Sequence, residues 1–463
     1  MLVLRPYQTT LLHDARAQMR AGIRKILIQS ATGSGKTVLI AAMLKGAAER
    51  GKRAWFCNHR RELVRQSVLT LTTAADISVG IVQAGVRLDP RELIQVCAIQ
   101  SLARRLDKLP DPDIIVLDEA HHTASKTWSA LIERFPRAFI IGTTASPIRL
   151  DGRGLGAWFD VLLEGPSTAT LIAQGHLAPY RLIAPPSRVD LSGVHAVAGD
   201  YNKHEAADAM RASTVVGDAL REYQARCAGK RALFFVWNVE ESKALAARFA
   251  AAGIAARHVD GTTPERERDA TMADFKAGRV LCLMSVDIVS EGFDVPLLDA
   301  VFLLRPTASL GLYLQQVGRA LRPAPGKTAL IVDHVGNYTR HGLPDDPRVW
   351  SLDGAVKAEP STLKVKTCAR CFAVERVWAS TCSQCGAPFV AVAQPREVEQ
   401  VEGELAEVDV AALRRTRAFE EHRCTTFEQL VALGVARGYK SGWARLRWEA
   451  IRGRQRQRER LRA

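Results

Sequence analysis

A glycine-rich loop stands between a short apolar run at residues 26–28 and an apolar helical stretch at residues 38–44. Such a loop lets backbone N–H groups approach phosphate oxygens, and the following helix directs the positive end of its dipole at the same anion. We expect Lys36 to reach the β- and γ-phosphates of a nucleotide and Thr37 to bind its Mg²⁺. A glycine-rich turn without a ligand is the alternative, which the strand, loop and helix in this order disfavour. The residues expected to hold the nucleotide here are Thr32, Gly33, Ser34, Gly35, Lys36 and Thr37.

Two adjacent carboxylates, Asp118 and Glu119, follow a second apolar run at residues 114–117. Ligands of parallel α/β sheets bind beyond the carboxyl ends of the strands. We expect Asp118 to complete the Mg²⁺ shell and Glu119 to orient and deprotonate the water that attacks a phosphoryl group. By themselves the two acids could simply complement a helix dipole, but beside a phosphate loop the catalytic interpretation is favoured. His122 is interpreted as an ordinary residue at the start of a helix.

Four of the 9 cysteines form two close pairs, Cys368 with Cys371 and Cys382 with Cys385. Each Cys-x-x-Cys pair can present two thiolates to a tetrahedral Zn²⁺, so the spacing predicts a structural zinc ribbon. Four thiolates leave no open coordination position, and we therefore expect the metal to support folding and docking. An iron–sulfur cluster and a redox pair are the competing interpretations. The other cysteines are scattered singly, which is not a disulfide framework.

Short apolar runs alternate with helical stretches in two blocks of the chain, a pattern typical of parallel α/β sheets. The first block has its runs at residues 26–28, 54–56, 94–98, 114–117 and 139–141. The second block has its runs at residues 232–236, 280–284, 300–304 and 328–332. The expected domains are residues 1–165, a connecting segment at 166–213 with little core of its own, a second domain at 214–350, the zinc ribbon at 364–389, and an acidic linker with a basic tail at 395–463.

Composition and charge favour a folded protein with a polyanionic partner. The chain has 463 residues, too many for one ordinary core, and 47% of them are hydrophobic, which excludes an extended disordered chain. Its formal net charge of +15 favours nucleic acid over an anionic membrane surface. The basic residues are concentrated in residues 411–463. Neither a signal peptide nor an apolar run of membrane-spanning length is recognisable, so we expect a cytoplasmic location and no membrane partner.

The glycine-rich loop and the run Asp118-Glu119-Ala120-His121 together resemble the DEAD/DEAH-type superfamily 2 helicases of bacteria and phages. The resemblance extends in the family's order to residues 142–149, which are similar to motif III. It implies an α/β fold with two tandem RecA-like parallel-sheet domains, and it implies ATP and Mg²⁺ as cofactors. The zinc ribbon and a basic helical tail would be additions to that core.

Residues 4–8 resemble the family's adenine-recognition motif, which implies that Gln8 reads the adenine edge while Tyr7 or Arg5 supports the base. Residues 58–63 and 98–102 resemble the blocks that contact the nucleic-acid strand. The strand contacts implied by these two blocks are Arg60, Arg61, Gln100 and Ser101. For the two arginines a solvated surface is the alternative.

In the second block, residues 315–322 match the family's Gln-x-x-Gly-Arg-x-x-Arg motif. Arg319 and Arg322 lie one helical turn apart on one face, and the resemblance implies that they stabilise charge on the γ-phosphate from the other domain. Residues 283–296 resemble motif V, which implies that Gly292 and Asp294 lie near the nucleotide.

Two loops of the second domain and the tail complete the expected nucleic-acid surface. Trp237 and Gly261 lie in segments similar to the family's strand-facing loops, although Gly261 could equally occupy a surface turn. Trp378 in the cysteine module could stack on a base or cap a small core. For Trp443 and Trp448 in the tail, packing in a helical core is favoured over base stacking.

These observations predict an ATP-dependent nucleic-acid helicase or translocase, with DNA preferred and RNA possible as substrate. The resemblance implies movement in the 3′ to 5′ direction. The alternatives are an RNA helicase, a duplex translocase that remodels protein–nucleic-acid complexes, and a nucleic-acid sensor that uses ATP as a clamp. The sequence names no protein partner.

Overall fold

The computed structural model describes residues 2–449 apart from 150, 185–188, 198, 213–218, 287–297, 355–364, 390–419, 422, 438, 440–441 and 446. The chain divides into two units, Met1–Val390 and Ala391–Ala463. The first unit contains two lobes, each built on a parallel sheet, and the cysteine module.

The first lobe has a seven-stranded sheet in the order β3-β4-β2-β5-β6-β1-β7, and neighbouring strands run parallel. Its strands are β1 (Lys25–Gln29), β2 (Ala54–Asn58), β3 (Gly80–Val82), β4 (Ile94–Ala98), β5 (Ile114–Asp118), β6 (Phe139–Thr144) and β7 (Val161–Glu164). Its helices are α1 (Pro6–Arg20), α2 (Lys36–Ala48), α3 (Arg61–Thr73), α4 (Ile99–Ala103) and α5 (Lys126–Arg134). Helices pack on both faces of the sheet, which is why the middle residues of its central strands are apolar and buried on both faces.

The second lobe has a six-stranded parallel sheet in the order β12-β13-β11-β14-β15-β8. Its strands are β8 (Tyr180–Ile183), β11 (Ala232–Phe235), β12 (Ala256–Val259), β13 (Cys282–Ser285), β14 (Ala300–Leu303) and β15 (Ala329–Asp333), and β9 (Ala196–Val197) and β10 (Asp200–Tyr201) form a separate hairpin. Its helices are α6 (Thr168–Ala173), α7 (Lys203–Ala212), α8 (Ala219–Cys227), α9 (Val239–Ala251), α10 (Glu265–Ala277), α11 (Leu310–Ala320) and α12 (Asn337–His341). The apolar runs of both blocks lie in or overlap these strands, which agrees with the expected pair of parallel sheets.

The segment at residues 166–213, interpreted from sequence as a connector with little core, contributes to the second lobe. Its strand β8 pairs in parallel with β15, and Leu171 and Leu177 are buried in the core of that lobe. The apolar stretch is only four residues long and lies more than a hundred residues before its partner strand, so local periodicity gives little indication of the pairing.

The cysteine module packs on the second lobe through backbone and side-chain contacts. Its antiparallel strands are β16 (Val365–Thr367) and β17 (Val374–Arg376). The Ala184 N–H donates to the Phe372 carbonyl at 3.0 Å. Arg376 forms ion pairs with Asp346 at 2.7 Å and with Asp345 at 3.4 Å. Arg376 therefore serves docking of the module, while Trp378 stays 69% exposed and does not cap a core.

In the second unit, helix α13 (Phe427–Ala436) begins at a capping box formed by Thr426 and Gln429. The rings of Tyr439 and Trp443 lie 4.8 Å apart, and Trp443 packs so closely on Gly434 that a Cβ there would meet it at 2.9 Å. This arrangement agrees with the core-packing interpretation of Trp443. Among the described residues, no helix combines the length and apolarity that crossing a bilayer would require.

Candidate active site

The phosphate loop connects β1 to α2 at the carboxyl edge of the first sheet. Gly33 and Gly35 adopt φ angles of +84° and +88°, a left-handed conformation that glycine adopts without steric cost. Gly35 is the N-cap of α2, so Lys36 opens the helix and Thr37 follows it. The geometry is the strand, loop and helix expected from the sequence, with the amino end of a 13-residue helix at the loop.

Gln8 supports the phosphate loop through side-chain hydrogen bonds to its backbone. Its side-chain amide donates to the carbonyls of Gly35 at 3.1 Å and Ser34 at 3.3 Å, and its oxygen accepts from the Arg5 N–H at 2.9 Å. The Tyr7 hydroxyl also donates to the Ser34 carbonyl. Both ends of the Gln8 amide are therefore engaged within the protein, and recognition of adenine by this residue stays a prediction.

Asp118 ends β5 and points toward the phosphate loop. Burial raises the pKa of its carboxyl, and the neighbouring Glu119 carboxylate adds to that effect, while Lys36 and a hydrogen bond from the Thr143 hydroxyl act in the opposite direction. That hydrogen bond measures 3.0 Å. A buried carboxylate with a raised pKa is the group that a bound cation would stabilise, and carboxylate and hydroxyl oxygens are the donors that Mg²⁺ prefers. Asp118 and Thr37 carry oxygens of this kind, and their binding of Mg²⁺ stays a prediction.

Glu119 lies directly beyond the strand in a strained backbone conformation. Its φ angle is +50°, which for a residue other than glycine costs about 1 kcal/mol or more. The carboxylate lies 4.0 Å from Lys36 Nζ, and both side chains are 12% exposed. Its second oxygen is buried and lies 3.4 Å from His121 Nδ1, and within the described part of the chain it accepts no hydrogen bond. The role of this carboxylate as the acceptor of a proton from a bound water stays a prediction.

The end of β6 connects this acid pair to the block at residues 142–149. His121 Nδ1 lies 3.2 Å from the Thr144 hydroxyl, which in turn donates to the Ser146 carbonyl at 2.9 Å. The Thr143 hydroxyl donates to Asp118. Two neighbouring threonines therefore contact the segment from Asp118 to His121, one at each of its ends.

The second lobe reaches the phosphate loop through helix α11. A Cβ added to Gly318 would lie 2.5 Å from the Cβ of Thr32, so only glycine fits at this approach. Arg322, expected on the same helix as Arg319, lies two residues beyond the last residue of α11, Ala320, and a Cβ on Gly33 would meet Arg322 Cγ at 3.6 Å. Arg319 is 8% exposed on the same helix. Burial lowers the pKa of the Arg322 guanidinium.

Comparison with known proteins gives two family matches that cover the two lobes. Residues 1–149 match the family described as type III restriction enzyme, res subunit, and residues 216–324 match the helicase conserved C-terminal domain. A 51.5 kDa protein of a Lactococcus phage is 37% identical over 383 residues, which cover 82% of this chain and 81% of the phage protein. The chain belongs to the superfamily 2 helicases.

Further relatives agree with this assignment. The putative ATP-dependent helicase IRC3 of Saccharomyces cerevisiae is 28% identical over 355 residues, which cover 72% of this chain and 52% of the yeast protein. The chain thus spans about half the length of that relative. Among solved structures, a fragment of a putative HsdR subunit of a type I restriction enzyme from Vibrio vulnificus YJ016 superposes with a TM-score of 0.59 at 23% identity, over 75% of this chain and 68% of that one. This likeness supports the two-lobed α/β fold. The helicase is an ATP hydrolase.

Of the motif V residues, Gly292 and Asp294 lie outside the described part of the helicase. Val286, which follows the last residue of β13 directly, is buried. The position of Gly292 and Asp294 near the nucleotide stays a prediction.

A groove between the lobes of the helicase brings together three of the predicted nucleic-acid residues. Arg60 and Arg61 line it from the first lobe, and Gly261 lines it from the second. The other predicted contacts are absent from its described lining. The Ser101 hydroxyl accepts from the Ala84 N–H at 3.1 Å, and Trp237 packs against the core of the second lobe. Gln100 is exposed on α4.

Ion pairs join α3 to α10 beside this groove and were missed by the sequence analysis. Arg268 lies 2.6 Å from Glu62, and Arg65 lies 2.9 Å from Glu265 and 3.0 Å from Asp269. Pairs this distant in the chain carry no local sequence signal, because any charged surface helix has the same composition.

The four paired cysteines converge at one point of the helicase. Their sulfur atoms all lie within 4.8 Å of one another. Backbone hydrogen bonds from Cys371 and Arg370 lower the pKa of the Cys368 thiol to about 7. Four convergent sulfurs form a donor set that fits a tetrahedral metal such as Zn²⁺.

Proposed function

We propose that this helicase hydrolyses Mg-ATP between its two lobes and uses the cycle to move along a DNA strand. The observation that carries the proposal is the contact of Thr32 and Gly33 with α11. Because the phosphate loop belongs to one lobe and the arginines to the other, ATP bound there favours a closed arrangement that hydrolysis releases.

Each residue of the site has a role in this cycle. Lys36 binds the β- and γ-phosphates, and Glu119 accepts a proton from the attacking water. Arg319 and Arg322 stabilise the charge that spreads over the γ-phosphate as the bond breaks. The Mg²⁺ held by Thr37 and Asp118 would neutralise phosphate charge.

The groove containing Arg60, Arg61 and Gly261 is proposed as the path of the strand. It is lined from both lobes, so a change in their spacing would alter the grip on the phosphate backbone. DNA is preferred because the first lobe matches a restriction-enzyme family and because the phage relative covers most of the chain.

Steady-state ATP hydrolysis tests this function directly. The rate is measured with no polymer and then with single-stranded DNA, duplex DNA, single-stranded RNA and duplex RNA at one fixed salt concentration, because phosphate contacts are salt-dependent. Strongest stimulation by single-stranded DNA is expected, and a forked DNA substrate should then be unwound. Stimulation by RNA alone would establish the RNA helicase instead. Stimulation by duplex DNA without strand separation would establish a duplex translocase. ATP-dependent binding with slow turnover would indicate a sensor.

We propose that Cys368, Cys371, Cys382 and Cys385 bind one structural Zn²⁺ that holds the module on the second lobe. Elemental analysis of the purified protein should give about one Zn per chain, since four thiolates saturate a tetrahedral ion. Cys368→Ser should lose the metal, whereas the matched control Cys424→Ser, outside the cluster, should retain it. Iron in place of zinc, or a folded module without metal, would contradict the assignment.

A further inference from the structure

Three histidine rings lie in contact in a row between the catalytic acid and the loop that lines the groove, with successive rings tilted by 41° and 45°, and this row is called the histidine stack. The ring centres of His121 and His122 lie 4.3 Å apart, and those of His122 and His59 lie 4.6 Å apart. His59 follows β2, whereas the other two follow β5, so the stack joins two neighbouring strand ends.

One end of this histidine stack touches the catalytic machinery. His121 Nδ1 lies 3.4 Å from the second carboxylate oxygen of Glu119, and its side chain is 5% exposed. The same nitrogen lies 3.2 Å from the Thr144 hydroxyl. A small movement of the His121 ring therefore changes the surroundings of the oxygen that is expected to accept the proton.

The other end of the stack touches a groove arginine. Arg60 Nε donates to His59 Nε2 at 3.2 Å, and Arg60 lines the groove proposed for the strand. A phosphate that draws the Arg60 guanidinium toward itself would strain or break that hydrogen bond, since a charged acceptor competes well for an arginine.

Glu119 is the residue that could respond to a movement of the His121 ring, because its backbone is strained and its carboxylate lies near both Lys36 and His121. The φ angle of +50° is maintained only by the surrounding contacts. A carboxylate held this way can turn toward Lys36 or toward a water when the neighbouring ring shifts. The Glu119 carboxylate thus has two orientations, and bound nucleic acid could favour one of them over the other.

We propose that His59 and His122 are positioning residues that transmit nucleic-acid contact at Arg60 to the orientation of Glu119. The inference rests on the proposed function, since it concerns how the strand stimulates the ATPase site. His122, interpreted from sequence as an ordinary helix-start residue, is the central ring of the stack. The two histidines set the stimulated rate of hydrolysis and contribute little to the basal rate.

His59→Ala and His122→Ala test the proposal in the full-length protein. Each should leave basal ATP hydrolysis within about twofold of wild type and reduce maximal stimulation by single-stranded DNA about tenfold, a typical size for coupling between sites. Affinity for a fluorescent single-stranded DNA without ATP should stay within about threefold, because the phosphate contacts are retained. His122→Phe, which keeps a flat ring in the stack, should restore most of the stimulation. His13→Ala, on the exposed face of α1, is the matched control and should behave as wild type.

The remaining outcomes overturn the inference. Equal losses of basal and stimulated rates would show a structural role, and a loss of stimulation proportional to a loss of DNA affinity would show a binding role. Unchanged stimulation in both alanine variants would exclude coupling through the stack while leaving the proposed function intact. If wild type itself is not stimulated by any polymer, the proposed function and this inference fail together.

Discussion

The two lobes of this helicase share one strand order and differ in the residues at the carboxyl ends of their strands. The order β3-β4-β2-β5-β6-β1 of the first sheet corresponds strand for strand to β12-β13-β11-β14-β15-β8 of the second. The phosphate-loop strand β1 thus corresponds to β8, and the acid-bearing strand β5 corresponds to β14. A repeated fold does not imply a repeated site, because the chemistry lies in the residues after the strands.

The corresponding strand ends of the two lobes are followed by residues of different chemistry. In the first lobe β1 leads into the glycine loop, whereas in the sequence β8 is followed by Ala184 and a Pro-Pro pair. Where β5 ends in an acid, β14 is followed closely by Arg305, which lies 2.8 Å from Asp200 with both side chains 14% exposed. The second lobe therefore has a structural ion pair where the first has the proposed nucleotide site, and in the proposed function it reaches ATP through α11 instead.

The largest effect on ATP turnover is expected from substitutions at the strand ends of the first lobe, since the comparison assigns the nucleotide chemistry to that lobe alone. Lys36→Ala should lower ATP turnover by about 10³-fold or more, since it removes the phosphate contact. Glu119→Gln should lower turnover to a similar extent while ATP still binds. Phosphate release and nucleotide binding are measured together with DNA affinity, which should persist. Lys45→Ala, farther along the same helix, is the matched control. Substantial hydrolysis by Lys36→Ala would require a second nucleotide site and would break the comparison.

A smaller loss is expected from the arginines that the second lobe contributes. Arg319→Ala and Arg322→Ala should each reduce the maximal turnover rate about 10²- to 10³-fold, because they stabilise charge that develops during the reaction. The KM for ATP should change less than the rate. Arg279→Ala, which removes an exposed ion pair with Asp274 on the same lobe, should have little effect. Equal effects of Arg279 and Arg319 substitutions would show that α11 has no special role.

The smallest effect concerns the structural pair at the strand end of the second lobe. Asp200 accepts hydrogen bonds from Arg305, Thr307 and the Ala308 N–H, each at 2.8 Å. Asp200→Ala should lower the free energy of unfolding of this lobe by about 1–3 kcal/mol, because buried donors lose their acceptor.

Urea unfolding and ATP turnover distinguish that structural role from a catalytic one. Turnover per folded molecule should stay within about twofold of wild type. Asp269→Ala, which breaks an exposed pair with Arg65, should cost less than about 1 kcal/mol and is the control. A large turnover defect in folded Asp200→Ala would mean that the second lobe also has a catalytic strand end.

The sequence predicted the two sheets and the phosphate loop because their signals are local. An apolar run followed by glycines, or by two acids, reports its own structure without reference to distant residues. The edge strands β3 and β7 were not predicted, because they are short and every residue of β7 is at least partly exposed. The role of Gln8 beneath the phosphate loop was not predicted either, since the family resemblance points to adenine.

The sequence by itself determined which residue types could do chemistry: the loop with Lys36, the acids Asp118 and Glu119, the arginines Arg319 and Arg322, and the paired cysteines. Only the tertiary structure decided how they meet. The pairing of β8 with β15, the approach of Gly318 to Thr32 and the stack of His59 on His122 join residues far apart in the chain. Such contacts depend on how apolar faces pack, and that packing is a property of the whole fold.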